Sequence, residues 1–223
     1  MKTIEIDAFG YCTSLEKAVI GSGLKILDYI FGGCEKLSTI VIGKNVKYIV
    51  NDFWYGSKLV VDKDNKYFSA DENGVLYNKD KTKLYIYPGM LNLETFTVPS
   101  NVKVISANSF SGCGNLKKVI ATDVETIGVS AFEHTDIEEV VLGNKLKTIK
   151  ALAFATCRKL KTVNIPASVT KINKDAFPGT TDWLSPKNAV IYYCGGNAEK
   201  LLSLTDDGNG NVSSYLNDRI TAG

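Results

Sequence analysis

Apolar residues recur along this chain in a frame of about 22 positions. Phe9, Phe31 and Phe53 step by 22, Phe110, Phe132 and Phe154 step by 22 again, and Phe177 follows 23 later. The other apolar columns keep the same frame. Ile127, Ile149 and Ile172 each precede a phenylalanine by five, Ile137 and Leu160 follow one by five and six, and Val140 with Leu142 and Val163 with Ile165 complete the unit. A period of this length marks one supersecondary unit per turn, and no such unit can bury its apolar face alone.

Each unit holds two stretches in which apolar and polar positions alternate, as at Leu160, Val163 and Ile165 and then at Val169 and Ile172. That period of two predicts two short strands per turn. A Gly, Asn or Pro-Ala-Ser step turns the chain between them, and the Ala-Phe segment predicts a short helical or irregular turn on the far side. Stacked turns would pair their strands in parallel at about 4.7–4.9 Å and fuse the inward columns into one core. The predicted class is therefore α/β, a solenoid of about seven 22-residue turns with short parallel strands and short helical turns.

The frame is interrupted once. From Phe53 to Phe110 is 57 residues, one step plus an insertion of about 35. Inside it, Val75 to Tyr77 and Leu84 to Tyr87 flank a polar Asn-Lys-Asp-Lys-Thr turn, which predicts a β-hairpin. The expected organisation is a solenoid over 1–181 with its hairpin insertion at about 62–92, a C-terminal cap over 182–206 and a flexible tail or linker over 207–223. In the cap, Ala189 to Tyr193 reads as a last strand, and Asn197 as the cap of a short helix with Glu199 in its first turn and Leu201, Leu202 and Leu204 beneath. The chain enters the frame in mid-unit at Lys2-Thr3-Ile4, so upstream sequence is expected to have been removed.

Units such as SVTKINKDAFPGT and NVKVISANSFSGCGNLKKVIA resemble the BspA-like subtype of leucine-rich repeats, with Val-x-x-Ile, Ala-Phe, Cys and Leu at these spacings. The resemblance covers residues 2 to about 181 in seven units. Gly56 and Thr135 depart from it at the cysteine, and Ile30 and Asp52 at the alanine. It implies a leucine-rich-repeat solenoid, a horseshoe-like right-handed coil used for binding, commonly in bacterial and some protist surface proteins. A cell-surface or secreted location follows from the resemblance alone, since no signal peptide is visible in the chain.

Composition narrows the partners. The 26 basic and 24 acidic residues nearly balance and the lysines are scattered along the chain, so nothing supports a nucleic-acid partner. No run of 18 apolar residues predicts a membrane span.

Candidate chemistry is sparse. Cys12, Cys34, Cys113 and Cys157 each follow a phenylalanine by three and precede a leucine by three, so they belong to the repeat rather than to a metal site. Cys12 and Cys34 would stack near disulfide distance, but the simpler reading is a small, inward-facing apolar column. The single histidine, His134, sits one turn beyond Gly112, beside Cys113; a thiolate and base would need both side chains to converge, and Cys113 should face the core. Asp207, Asn209, Asn211 and Asp218 fall at positions one, three, five and twelve of a calcium-loop pattern, yet Val212 stands where that loop needs glycine. No enzyme, cofactor or metal is expected.

Two surfaces remain. In Leu-x-x-Val-x-Ile the positions flanking the inward valine point outward, which makes Thr39, Val41, Lys118, Ile120, Glu139, Val141, Thr162 and Asn164 a candidate partner-binding ladder. Around the insertion Trp54, Tyr55, Tyr77, Tyr85 and Tyr87 form a candidate aromatic patch, with Tyr67 and Phe68 beside them. Packing of these rings onto the solenoid is the plainer reading. The expected function is non-enzymatic protein binding or adhesion through the strand ladder, to a host or cell-surface protein. The alternatives are glycan binding by the aromatic insertion and a structural spacer in a larger surface protein.

Overall fold

The computed structural model describes residues 4–50, 57–173, 175–177, 190–196, 198–205 and 220–222. The chain divides into two compact units, Met1–Leu91 and Asn92–Gly223. Both are built from β-solenoid turns.

Unit 1 contains β1 (Lys17–Val19), β2 (Ile26–Asp28), β3 (Thr39–Ile42), β4 (Tyr48–Val50), β5 (Lys58–Val61), β6 (Phe68–Ala70), β7 (Leu76–Asn78) and β8 (Lys83–Ile86). The first strands of successive turns form a parallel sheet, β1-β3-β5, and β2 pairs β4 in parallel on a second face. Inward residues Ala18, Ile40 and Leu59 come into register across the first sheet and are buried. Ala18 to Ile40 is a full step of 22, but Ile40 to Leu59 is only 19, so the third turn is contracted. Over the predicted hairpin, β6, β7 and β8 pair antiparallel, with Tyr77 and Leu84 in register.

Unit 2 contains β9 (Thr95–Thr97), β10 (Val104–Ile105), β11 (Lys118–Ala121), β12 (Thr126–Ile127), β13 (Glu139–Leu142), β14 (Thr148–Ile149), β15 (Thr162–Ile165), β16 (Lys171–Ile172), β17 (Val190–Tyr193), α1 (Ala198–Ser203) and β18 (Ile220–Ala222). One face is the parallel sheet β9-β11-β13-β15-β17-β18 and the second runs β10-β12-β14-β16. Ile105, Ile127, Ile149 and Ile172 stack in register along the second face, and all are buried. Where the first strand turns the corner, successive backbones approach so closely that only glycine fits: a Cβ on Gly143 would lie 2.0 Å from the Thr122 carbonyl oxygen, and one on Gly43 in unit 1 would lie 2.2 Å from that of Ile20.

The third side of each turn corrects the expected class. The short helical turns of an α/β repeat are absent from the described residues, where α1 is the one α-helix. The Ala-Phe segments instead carry two left-handed residues each, Asn108 and Gly112, Ser130 and His134, Leu152 and Thr156. That alternation turns amide groups toward the neighbouring turn rather than along a helix axis. Phe110 N donates to Ala131 O at 2.9 Å, Phe132 N to Ala153 O at 2.9 Å and Phe154 N to Ala176 O at 3.0 Å. Between these ladder bonds the phenylalanines stack face to face, with centroids 5.0, 5.4 and 4.9 Å apart from Phe110 through Phe177. The fold is thus a β-solenoid with very little helix.

At the C-terminus, α1 buries Leu201, and Ile172 N donates to Leu204 O at 2.9 Å. Asn197, its expected cap, lies outside the described residues. Within the segment expected to be a flexible tail, Ile220–Ala222 form β18, paired in parallel with β17. A strand edge presents a row of unpaired N–H and C=O groups, and β18 satisfies those of β17.

Candidate functional site

Backbone register determines which outward side chains meet. In unit 1, Lys17, Thr39 and Lys58 lie opposite one another, and so do Val19, Val41 and Val60. Val19 is 66% exposed and Val60 39%. An outward valine column with this much accessible apolar surface contributes nothing to the core. In unit 2, Thr95, Lys118, Glu139 and Thr162 form one outward column, and Thr97, Ile120 and Val141 run beside it, with Asn164 opposite Tyr192 farther along the sheet. All eight expected ladder residues occupy outward strand positions, but Thr39 and Val41 belong to unit 1 and the other six to unit 2. Val19, Val60, Thr95, Thr97 and Tyr192 join these columns and were not legible as members. The contracted third turn hides Val60, and Ala18 stands in the inward place that Val119 or Val163 fills elsewhere.

Charge on the unit 2 ladder is internally balanced. Lys118 Nζ lies 2.8 Å from Glu139 Oε2 across the β11–β13 pair. Four more lysines pair with acids one turn away: Lys145 with Asp123 at 2.6 Å, Lys159 with Asp136 at 2.7 Å, Lys117 with Glu94 and Lys161 with Glu138. The hydrogen bond from Lys145 holds the Asp123 carboxyl below its ordinary range, and the bond from Lys161 does the same for Glu138. These pairs are exposed, so they set the charge pattern more than the stability.

The aromatic patch is redistributed. Tyr77 and Tyr87 are buried, which removes them from any solvent-facing patch: the strands around the β7–β8 turn fold their rings inward, and Tyr77 Oη donates to Asp71 Oδ2 at 3.1 Å. Burial, with the Asp71 charge second, raises the Tyr77 hydroxyl pKa above its ordinary value. Tyr85 is half-buried and meets Phe68 edge-on at 5.5 Å. Trp54 and Tyr55 lie outside the described residues. Tyr67 is 41% exposed.

The cysteine column splits in two. Cys113 and Cys157 are buried, and burial pushes both thiols up to about 12; Cys12 is exposed and Cys34 half-buried, so the inward-facing expectation fails for the first two turns. Both Cys34 Sγ and Cys157 Sγ donate to the carbonyl of the phenylalanine 25 residues earlier, at 3.1 and 2.9 Å. All five cysteines are free thiols, so Cys12 and Cys34 are not bridged. At neutral pH a thiol reagent is expected to label Cys12 and Cys194 quickly and to spare Cys113 and Cys157 until the chain unfolds, as mass mapping would show. Because the folded pKa of the buried pair is raised, its contribution to stability is intact below the ordinary thiol value of 9.0 and is lost as pH rises toward 12.

His134 gives no dyad. Its side chain is exposed, with Glu133 Oε1 3.8 Å from Nε2, while Cys113 is buried and held protonated. The calcium-loop positions 207–218 lie outside the described residues. Among the described residues no cluster of three or more His, Cys, Asp or Glu is placed to hold a metal, and no helix is long and apolar enough to cross a membrane. The first turn opens on a cavity of about 800 Å³ lined by apolar residues that include Ile4, Phe9, Leu24 and Phe31.

Comparison with known proteins agrees with this architecture. The pneumococcal vaccine antigen PcpA superposes with a TM-score of 0.61 at 20% identity, over 93% of this chain and 66% of its own. A leucine rich cell surface protein from Faecalibacterium prausnitzii superposes with a TM-score of 0.59 at 24% identity, over 91% of this chain and 66% of its own. The chain therefore spans just under two thirds of the length of either structure. No match was found among curated proteins. Residues 1–61 and 81–185 match six copies of the BspA type leucine rich repeat region. On the strength of that match, which covers most of its length, the chain belongs to the family of BspA type leucine-rich repeat proteins.

Proposed function

We propose that this chain is a non-enzymatic protein-binding or adhesion module at a bacterial cell surface, and that the outward faces of its first-strand sheets are the contact surface. The observation that carries this reading is the valine column Val19, Val41 and Val60, backed in unit 2 by Ile120 and Val141. Aligned β-branched side chains on a sheet present a rigid apolar strip whose ordering entropy folding has already met, and lysines and threonines edge it. A flat strip of this kind suits another protein's surface better than a small molecule, which needs concave enclosure. Repeat scaffolds generally serve such contacts, and both structural neighbours named above are surface or antigen proteins by description.

The test is a binding screen of the chain against purified host and bacterial surface proteins, repeated with two variants. Val41→Lys with Val60→Lys, and separately Lys118→Ala with Glu139→Ala and Asn164→Ala, are each expected to weaken the captured partner by more than about tenfold while the unfolding midpoint stays unchanged. A partner retained by both variants would move the contact off the strand faces.

A further inference from the structure

Four lysines that stand far apart in sequence converge on one cleft in unit 1. Lys25, Lys44, Lys47 and Lys66 line a hollow of about 620 Å³ together with Asn45, Asp64 and Tyr67. They come from three consecutive turns, and the solenoid step brings them together: Lys47 N donates to Lys25 O at 2.8 Å, placing one lysine directly over the other. The same column in unit 2 alternates, with Glu125 between Lys103 and Lys147. Like charges stacked on neighbouring strands are destabilising, and unit 2 avoids what unit 1 retains.

The contrast extends to pairing. Five lysines of unit 2 each hold a carboxylate, whereas none of the four cleft lysines forms an ion pair with a described residue. Asp64 is the single acid in the lining, so the hollow carries a net positive charge. Lys47 Nζ sits over two tyrosine rings, 5.1 Å from the centroid of Tyr48 and 5.6 Å from that of Tyr67. Both rings are exposed, Tyr48 at 48% and Tyr67 at 41%. The hydrogen bond with Tyr48 raises the Lys47 ammonium above its ordinary pKa.

We propose that this cleft binds an acidic glycan, a sugar chain bearing sulfate or carboxylate groups. Three features of the hollow select that class over other anions. Its volume suits one or two sugar residues and far exceeds a single phosphate. Tyr67, the one aromatic residue of the lining and 41% exposed, offers flat apolar area beside the Lys47 ammonium against which the C–H face of a pyranose packs. Asp64 and the side-chain carbonyl of Asn45 are acceptors for sugar hydroxyls, of which a phosphodiester backbone has few to donate. The Asn45 amide is already engaged, donating to Ser22 O at 2.6 Å, which fixes the carbonyl's orientation. This site uses none of the strand-face residues and does not depend on their role.

The experiment is a titration of the full chain with a heparin-type sulfated oligosaccharide, its desulfated counterpart and a single-stranded oligonucleotide of matched charge, at low and at physiological ionic strength. Saturable binding of the sulfated sugar is expected, weakening with salt as exposed ion pairs are screened, with weaker binding of the other two probes. Lys44→Glu with Lys66→Glu should reduce affinity by roughly tenfold or more, since two exposed attractions become repulsions. Tyr67→Ala should weaken binding where Tyr67→Phe does not. Lys150→Glu with Lys171→Glu, exposed lysines of unit 2 outside the cleft, should leave it unchanged. No saturable binding of the sulfated sugar, equal losses from the unit 2 pair, or an oligonucleotide bound as tightly as the sugar would each overturn the proposal.

Discussion

Phe132→Ala is expected to lower the unfolding free energy by about 3–5 kcal/mol, the range for removing a large ring from a closed core. Phe132 is fully buried, with Phe110 on one side, 5.0 Å away and 14° from parallel, and Phe154 on the other at 5.4 Å and 9°. Truncation removes both stacks and leaves a void that neither flanking ring can fill, because each is held by its own ladder bond to the next turn. In a solenoid the stability is a sum of turn and nearest-neighbour interface contributions, so one central residue weakens two interfaces together. Phe177→Ala provides the comparison: it also empties a buried site but loses a single described stack, to Phe154. Urea denaturation followed by circular dichroism should therefore rank Phe132→Ala below Phe177→Ala. Equal midpoints for the two would mean that the phenylalanine column does not couple the turns.

That column was the most legible part of the chain, and the reason is physical. A stacked ring must recur at the turn length, so Phe110, Phe132 and Phe154 advertise the period, and the inward valines and isoleucines follow from it. The third side was not legible, since Ala-Phe at one per turn is as compatible with a helical turn as with the observed ladder. What distinguishes them is the left-handed backbone at Ser130, His134, Leu152 and Thr156, where no glycine marks it, while among the described residues Gly33 and Gly112 mark the same place in two turns. The strand ladder was half visible. Outward positions follow from alternation, but register does not, and the 19-residue third turn displaces Val60 from the place a uniform step assigns it. The basic cleft was hidden for a related reason. Lys25, Lys44, Lys47 and Lys66 look scattered along a near-neutral chain, and only the stacking of three turns gathers them.

Asn65→Ala is the second large expected effect, about 3 kcal/mol, because several buried polar groups lose their partner at once. Asn65 is 1% exposed. Its amide donates to Gly43 O at 2.9 Å and to Val46 O at 3.0 Å, and its side-chain oxygen accepts from Tyr67 N at 2.8 Å and Phe68 N at 2.9 Å. One side chain thus ties the corner after β3 to the segment entering β6, doing with a short local turn what a strand ladder does elsewhere. Alanine would strand two carbonyls and two amides in a place with little room for water. Asn65→Asp separates the two halves of this clasp, since it keeps the acceptor and turns the donor into a carboxylate facing two carbonyl oxygens. Desolvation and that repulsion would raise the new carboxyl's folded pKa above its unfolded value, so the variant should be least harmed at acid pH and lose stability as pH rises. Thermal unfolding across the acid range would read this directly, and a pH-independent loss equal to that of alanine would show that the two donated bonds contribute little. The same residue positions Lys66 and Tyr67 at the cleft. An Asn65 variant that stays folded at low temperature should therefore also bind a sulfated sugar less well, although Asn65 is itself too deeply buried to touch it.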